Sequence, residues 1–326
     1  MARPRSTSGW LPGLILVVAL FGMSIGCHAA DAPCQLTWTS EVPLTGYFID
    51  ITSSGDLYVS DVPTRTVTRY SLDGVPIFRW SNDSANPWQF VRPFGITVSD
   101  QGILYVADFD QNVVLTFRDT GEFLGTIGSS GSGPGQMKQP YDVAVDAAGF
   151  LYVSDRGNSR IDKFNLSGEF VKSWGSFGFG PEQFANITCL SIDGPDQVVA
   201  GDQQGWIRRF TPEGVLLNRF DNGPPPTASI VVALGVTSTR GGSLIHAVDW
   251  DKSQVLSFGV DGAIFSKCGR VGHGTEFFFF PTDIDHVGDN LYLMDAGNNR
   301  LVVLGSGEVA VKPSTWSSIK LLFNRD

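Results

Sequence analysis

The most regularly placed acidic residue is an aspartate closing a short apolar run: DLYVSD to Asp61, ILYVAD to Asp108, FLYVSD to Asp155, QVVAGD to Asp202, LIHAVD to Asp249 and NLYLMD to Asp295. Successive copies stand 47, 47, 47, 47 and 46 residues apart. A catalytic carboxylate is normally unique, whereas an Asp before a turn accepts hydrogen bonds from backbone N–H groups two or three residues on. Six copies therefore read as turn-holding groups. By the same logic Arg160 and Arg300 fold back onto these turns or a neighbouring unit, and Gly157 and Gly297 supply positive φ within them. Other candidates are few. His246, His273 and His286 come only from the last two units, and the spacing of Cys34, Cys189 and Cys268 suits no zinc motif. Asp142 and Asp283 could offer oxygen ligands to a divalent metal, but no Glu stands at a matching place. No nucleophile elbow, phosphate-binding loop or dinucleotide fingerprint is present. The expectation is no cofactor, with a divalent metal in the channel as the disfavoured alternative.

What positions these residues is the repeat itself. A fixed period of about 47 residues means one supersecondary unit used again and again. The third unit shows its parts: Tyr141–Val145, then an Ala-Ala-Gly turn; Leu151–Ser154; Arg160–Phe164; and Phe170–Trp174 after a Ser-Gly turn. Short β-branched and aromatic runs bounded by Gly and Asp are strands of a meander. Beyond residue 30 no stretch keeps a helical period. The class is all-β, and four-stranded antiparallel units in a closed ring make a six-bladed β-propeller. The links between units keep one apolar side chain at a fixed place, as Phe90, Met137, Phe184, Ile230 and Phe278, which reads as a wedge between neighbouring blades.

GSSGSGPGQMKQP (128–140), GSFGFGPEQFANI (175–187), YVSDRGNSRIDKF (152–164) and YLMDAGNNRLVVL (292–304) resemble NHL repeats. The resemblance covers nearly the whole chain after the N-terminal segment and is weaker in the first, fourth and fifth units. It implies six blades, in agreement with the count, and a ring closed by strands from both termini. Gln35-Leu36-Thr37-Trp38 is the favoured outer strand of the last blade, and 308–311 competes for the place. Members of such families include peptidyl-hydroxyglycine lyases with a histidine-held zinc and gluconolactonase-like hydrolases with a channel metal. More often NHL propellers are interaction platforms.

Function on propellers sits where first strands begin and the loops between second and third strands emerge. Aligned units place Tyr47, Phe94, Tyr141, Thr188, Leu234 and Thr282 around that mouth, with Phe48, Gly95, Asp142, Cys189, Gly235 and Asp283 one step inward. The loops add Asp108, Asp110, Arg156, Trp206, Trp250 and Asp251. Aromatics with a few charges suit a small polar ligand, peptide or cation. The ligand-binding set expected is Tyr47, Phe94, Tyr141, Asp142, Arg156, Trp250 and Asp283, serving a monomeric platform for a protein, peptide or glycan. A lyase or hydrolase is the alternative.

Arg3 and Arg5, the apolar run from Leu14 to Ile25 and small residues to Ala30 have the order of a secretory signal. The run is too short to span a bilayer, which takes roughly 20 residues. Expected divisions are a signal over 1–29, a propeller over 30–312 and a tail over 313–326, giving a secreted or periplasmic protein. Ser24-Ile25-Gly26-Cys27 partly resembles a lipobox, so membrane attachment would come only through a lipidated Cys27. Loss of Arg3 and Arg5 takes the formal net charge from −10 to −12. Such acidity repels phosphate backbones and excludes nucleic acid as partner. Three cysteines would remain, allowing one disulfide that the spacing does not assign.

Overall fold

A computed structural model describes residues 36–39, 46–71, 74–194, 196–220, 230, 232–239, 242–274 and 277–305. Six four-stranded antiparallel sheets follow one another along the chain. Blade I is Phe48–Ile51, Asp56–Asp61, Thr66–Ser71 and Pro76–Ser81. Blade II is Pro93–Val98, Ile103–Asp108, Val113–Arg118 and Phe123–Ile127. Blade III is Pro140–Val145, Phe150–Asp155, Arg160–Asn165 and Phe170–Trp174. Blade IV is Ile187–Asp193, Gln197–Asp202, Ile207–Phe210 and Leu216–Phe220. Blade V is Ala233–Thr239, Leu244–Asp249, Gln254–Gly259 and Ile264–Cys268. Blade VI takes Pro281–Val287, Asn290–Asp295 and Arg300–Leu304, and its fourth strand is Leu36–Thr39, antiparallel to Arg300–Leu304. The N-terminal segment thus closes the ring, as favoured; the competing 308–311 lies outside the described residues. So do the proposed signal segment, Cys27 and the C-terminal tail.

Each first strand lies beside the first strand of the next blade all the way around, so these six strands form the channel wall. The cores lie between blades. Phe48, Tyr58 and Trp80 of blade I meet Leu104 and Phe117 of blade II in one cluster, and the last gap is filled by Tyr292, Met294 and Val303 against Ile49, Ile51 and Val59. All five wedge residues are buried among them, Met137, Phe184 and Phe278 completely. Full burial of one such side chain is worth about 1.5–3 kcal/mol, so each link helps hold its own pair of blades.

The repeated Asp ties two segments together. Asp155 accepts from the backbone N–H of Lys138 in the preceding link at 2.8 Å, from Asn158 Nδ2 at 2.6 Å and from Arg160 Nε at 3.1 Å. Asp295 repeats this with Phe279, Asn298 and Arg300. Asp202 holds the fully buried Arg208 at 2.9 Å, and Arg208 in turn donates to the Pro181 carbonyl. Arg160 and Arg300 do fold back onto these turns and onto the links. Gly157 and Gly297 differ from the expectation: the left-handed residues are Ser159 (φ 54°) and Asn299 (φ 51°). The two glycines are needed for close approach, because a Cβ on Gly157 would lie 2.9 Å from the Lys138 carbonyl oxygen and one on Gly297 2.3 Å from that of Phe279. Cys189 is a free, buried thiol, and Cys268 stands in a disulfide whose partner lies outside the described residues.

Candidate functional site

The face where first strands begin is closed by aromatic rings. Phe48 and Phe94 stand 5.7 Å apart between centroids, Phe94 and Tyr141 4.8 Å, Phe94 and Phe109 5.0 Å, and Phe48 and Tyr141 5.5 Å. These rings come from blades I, II and III and fill the mouth on that side. Burial pushes the Tyr141 hydroxyl well above its ordinary range, although nearby Arg156 pulls the other way. The Arg156 guanidinium lies 5.5 Å from the Tyr141 ring centroid and 5.9 Å from that of Phe109. Arg92 covers Phe109 at 5.3 Å and pairs with Asp110 at 3.2 Å. Further round the same face Trp250 stacks on Phe280 at 4.8 Å, Phe280 meets Phe279 at 4.3 Å with the rings tilted, and Arg219 covers Trp206 at 4.0 Å.

Large apolar side chains are exposed in three kinds of place. Some, such as Ile77, Leu124 and Val171, lie on fourth strands at the outer rim, and Val75, Val215 and Val260 lie in the turns of the opposite face. The others gather on the loops of the mouth face: Phe177 (68% exposed), Phe179 (63%), Val271, Phe277, Phe280 and Tyr47. Charge is segregated as well. Among the described residues, the mouth-face loops carry Arg65, Arg92, Lys138, Arg156, Lys252 and Arg270 against Asp83, Asp110, Glu182 and Asp251. Among the described residues, the turns of the opposite face carry Asp100, Asp119, Glu122, Asp146, Glu169, Asp196, Glu213, Asp261 and Asp289, and no basic residue.

A cavity of about 640 Å³ occupies the channel and reaches the opposite face, where Thr52–Ser54 and Ser99–Gly102 line it. Asp142 and Asp283 line it too; Tyr47, Phe94, Tyr141, Arg156 and Trp250 do not. The expected set is therefore split by the aromatic closure into five residues on the mouth face and two carboxylates inside.

Those carboxylates are engaged. Asp142 accepts from Leu190 N of blade IV at 2.7 Å through one oxygen and from its neighbour Val143 N at 2.8 Å through the other. Asp283 does the same with Ile49 N of blade I at 2.9 Å and Ile284 N at 2.8 Å. Asp50 reaches Val98 N, and Asp285 reaches Ile51 N. First strands of adjacent blades leave edge N–H groups unpaired, and a buried donor without a partner is costly; these four aspartates supply the acceptors. Burial raises Asp142 to about 7, and raises Asp283 and Asp50 well above the carboxylate range, with the charges of Asp142 and Asp285, respectively, adding to it.

The histidines do not converge. His246 is buried between Thr239 and Ser257, His286 meets Thr237 at 2.8 Å, and His273 meets Asn298. Among the described residues no three His, Cys, Asp or Glu side chains stand close enough together to hold a metal. Asp108 is fully buried on Val91 N and Arg92 N, and so is a structural group. Phe109 was missed, yet the register contains it: the residue after each repeated Asp is Val62, Phe109, Arg156, Gln203, Trp250 or Ala296. Phe177 and Phe179 sit in a Gly-rich link, where no period marks which side chains face outward.

Residues 89–173 match the model of the DUF5128 family, described as a 6-bladed beta-propeller. No curated protein matches the chain. Selenomethionine-substituted virginiamycin B lyase from Staphylococcus aureus superposes with a TM-score of 0.59 at 14% identity, over 83% of this chain and 99% of that one. A catalytically inactive form of the lyase, solved with Quinupristin, gives 0.58 at 16% over 79% and 80%. The WD40 propeller domain of Doa1 gives 0.56 at 10% over 80% and 78%. At such identities the likeness is one of fold.

Proposed function

We propose that this chain is an NHL-type binding propeller, exported by its N-terminal segment, which engages a protein, peptide or glycan through the mouth face. The observation that carries this reading is the gathering of exposed Phe177, Phe179, Phe277 and Phe280 with Tyr47 on one face. Aromatic and Arg side chains dominate binding interfaces because they bury much area at modest entropic cost. The WD40 neighbour is likewise a β-propeller, and that fold family's use in binding fits the reading. The lyase neighbours favour catalysis in the channel as a second reading, for which Asp142 and Asp283 are the available carboxylates. Their oxygens already hold backbone N–H groups of two blades, which favours a structural part for them.

The test compares the full chain with Phe177→Ala, Phe179→Ala and Trp250→Ala variants in binding to peptide and oligosaccharide arrays, alongside turnover of lactone and hydroxyglycine substrates with and without chelator. Binding lost in these variants, with no turnover, supports the platform. Chelator-sensitive turnover lost in Asp142→Asn and Asp283→Asn would replace it with the enzyme. Intact mass from the native host tests export; a product retaining residues 1–29 would refute it.

A further inference from the structure

Twelve positions ring the mouth, six at the first-strand starts and six directly after the repeated Asp, and Arg156 is the single charged residue among them. Other interior guanidiniums are matched: Arg69 with Asp56, Arg160 with Asp155, Arg208 with Asp202, Arg209 with Asp193, Arg300 with Asp295. Arg156 has no carboxylate among the described residues, and its buried Nε lacks a hydrogen-bond partner. Its guanidinium lies over Tyr141 and Phe109, which places a planar fork at the mouth at no cost in ion pairing. Such a fork binds a carboxylate through two parallel hydrogen bonds.

Resting on the platform reading, we infer that the mouth binds an acidic peptide segment of a partner protein, with Arg156 taking a side-chain carboxylate and the Phe177–Phe179 pair taking apolar side chains. One feature favours peptide over acidic glycan. The most exposed rings of the face are Phe, which offer apolar contact without a hydrogen-bonding edge. Among the described residues the mouth loops carry six basic against four acidic side chains and the opposite-face turns carry only acidic ones, so an acidic segment of either kind is steered to the mouth.

Calorimetric titration of the full chain tests this with synthetic peptides that mix Glu or Asp with Leu and Phe, their Gln or Asn counterparts, and oligogalacturonate. Acidic peptides should bind, and the amide forms and Arg156→Gln should each bind at least tenfold more weakly. Arg156→Lys should recover part of the loss, and Arg118→Gln, an exposed change near the opposite face, should cause none. Arg156→Gln should melt close to the wild type, since the Arg156 side chain makes no hydrogen bond among the described residues. Equal binding of acid and amide peptides, abolished by Phe177→Ala, would overturn the carboxylate site and leave the platform standing. Arg156-dependent binding of oligogalacturonate alone would overturn the peptide in favour of an acidic glycan. No binding by any probe would remove both readings.

Discussion

Gly95 and Asp142 meet across the gap between blades II and III so closely that a Cβ on Gly95 would stand 2.3 Å from an Asp142 carboxylate oxygen. Three blades on, Gly235 and Asp283 repeat the contact at 2.7 Å. Each glycine makes room for the carboxylate that then reaches forward to the following blade. Gly95→Ala should cost about 1–3 kcal/mol through overpacking, read as a lower urea midpoint. An unchanged midpoint would show that the gap between these blades is loose.

Asp142 is raised to about 7 and Asp162 to about 8, both chiefly by burial, with the Asp155 charge adding to the second. The folded chain therefore keeps protons that the unfolded chain releases near pH 4. Where the native state binds more protons, stability falls as pH rises. Denaturation midpoints should decline from pH 5 to pH 8, and Asp142→Asn should flatten part of that slope. Midpoints that rise over the same range would contradict the assignment.

Asp155→Ala removes the acceptor for Lys138 N, Asn158 and Arg160 together. Stability should fall by about 1–3 kcal/mol from the unpaired donors, while any ligand affinity measured below the new melting temperature stays the same. Loss of binding without loss of stability would move Asp155 from scaffold to site.

Arg208→Met leaves Asp202 buried without its ion pair, and should cost about 3–5 kcal/mol. Joining Asp202→Asn to it should recover part of that loss, measured by a double-mutant cycle. Simple additivity of the two changes would argue that the pair is not coupled.

Phe177→Ala and Phe179→Ala should each weaken partner binding by about 1–3 kcal/mol with melting temperature nearly unchanged, since both rings are mostly in solvent. Tyr141 is a poorer probe than its place in the register suggests. It packs in the mouth closure against Phe48 and Phe94, so truncating it perturbs the fold along with any ligand contact.

The 47-residue register made the blades, the wedges and the closing segment legible, because each depends on side-chain type at a repeated place. Gly157 was legible as necessary but not for the right reason: a link passing over it is a tertiary contact, invisible in local turn chemistry. Asp142 and Asp283 were visible as exceptions among first-strand residues, and an exception reads as chemistry until its partners are seen. Those partners, Leu190 N and Ile49 N, are backbone atoms of the next blade and carry no side-chain signature. Phe177 and Phe179 escaped for a similar reason, since exposure in a glycine-rich link follows from its path over the surface.

Closure by Leu36–Thr39 joins residues 268 positions apart, as in the pairing of Leu36 with Leu304. Until that contact forms, a nearly complete molecule carries an open β-edge on Arg300–Leu304, and the earliest segment must wait for the latest. Non-local pairing of this kind is slow, and an unpaired edge invites the same strand from another chain. The latch that closes the ring is thus also the element through which two crowded, half-finished copies would exchange ends.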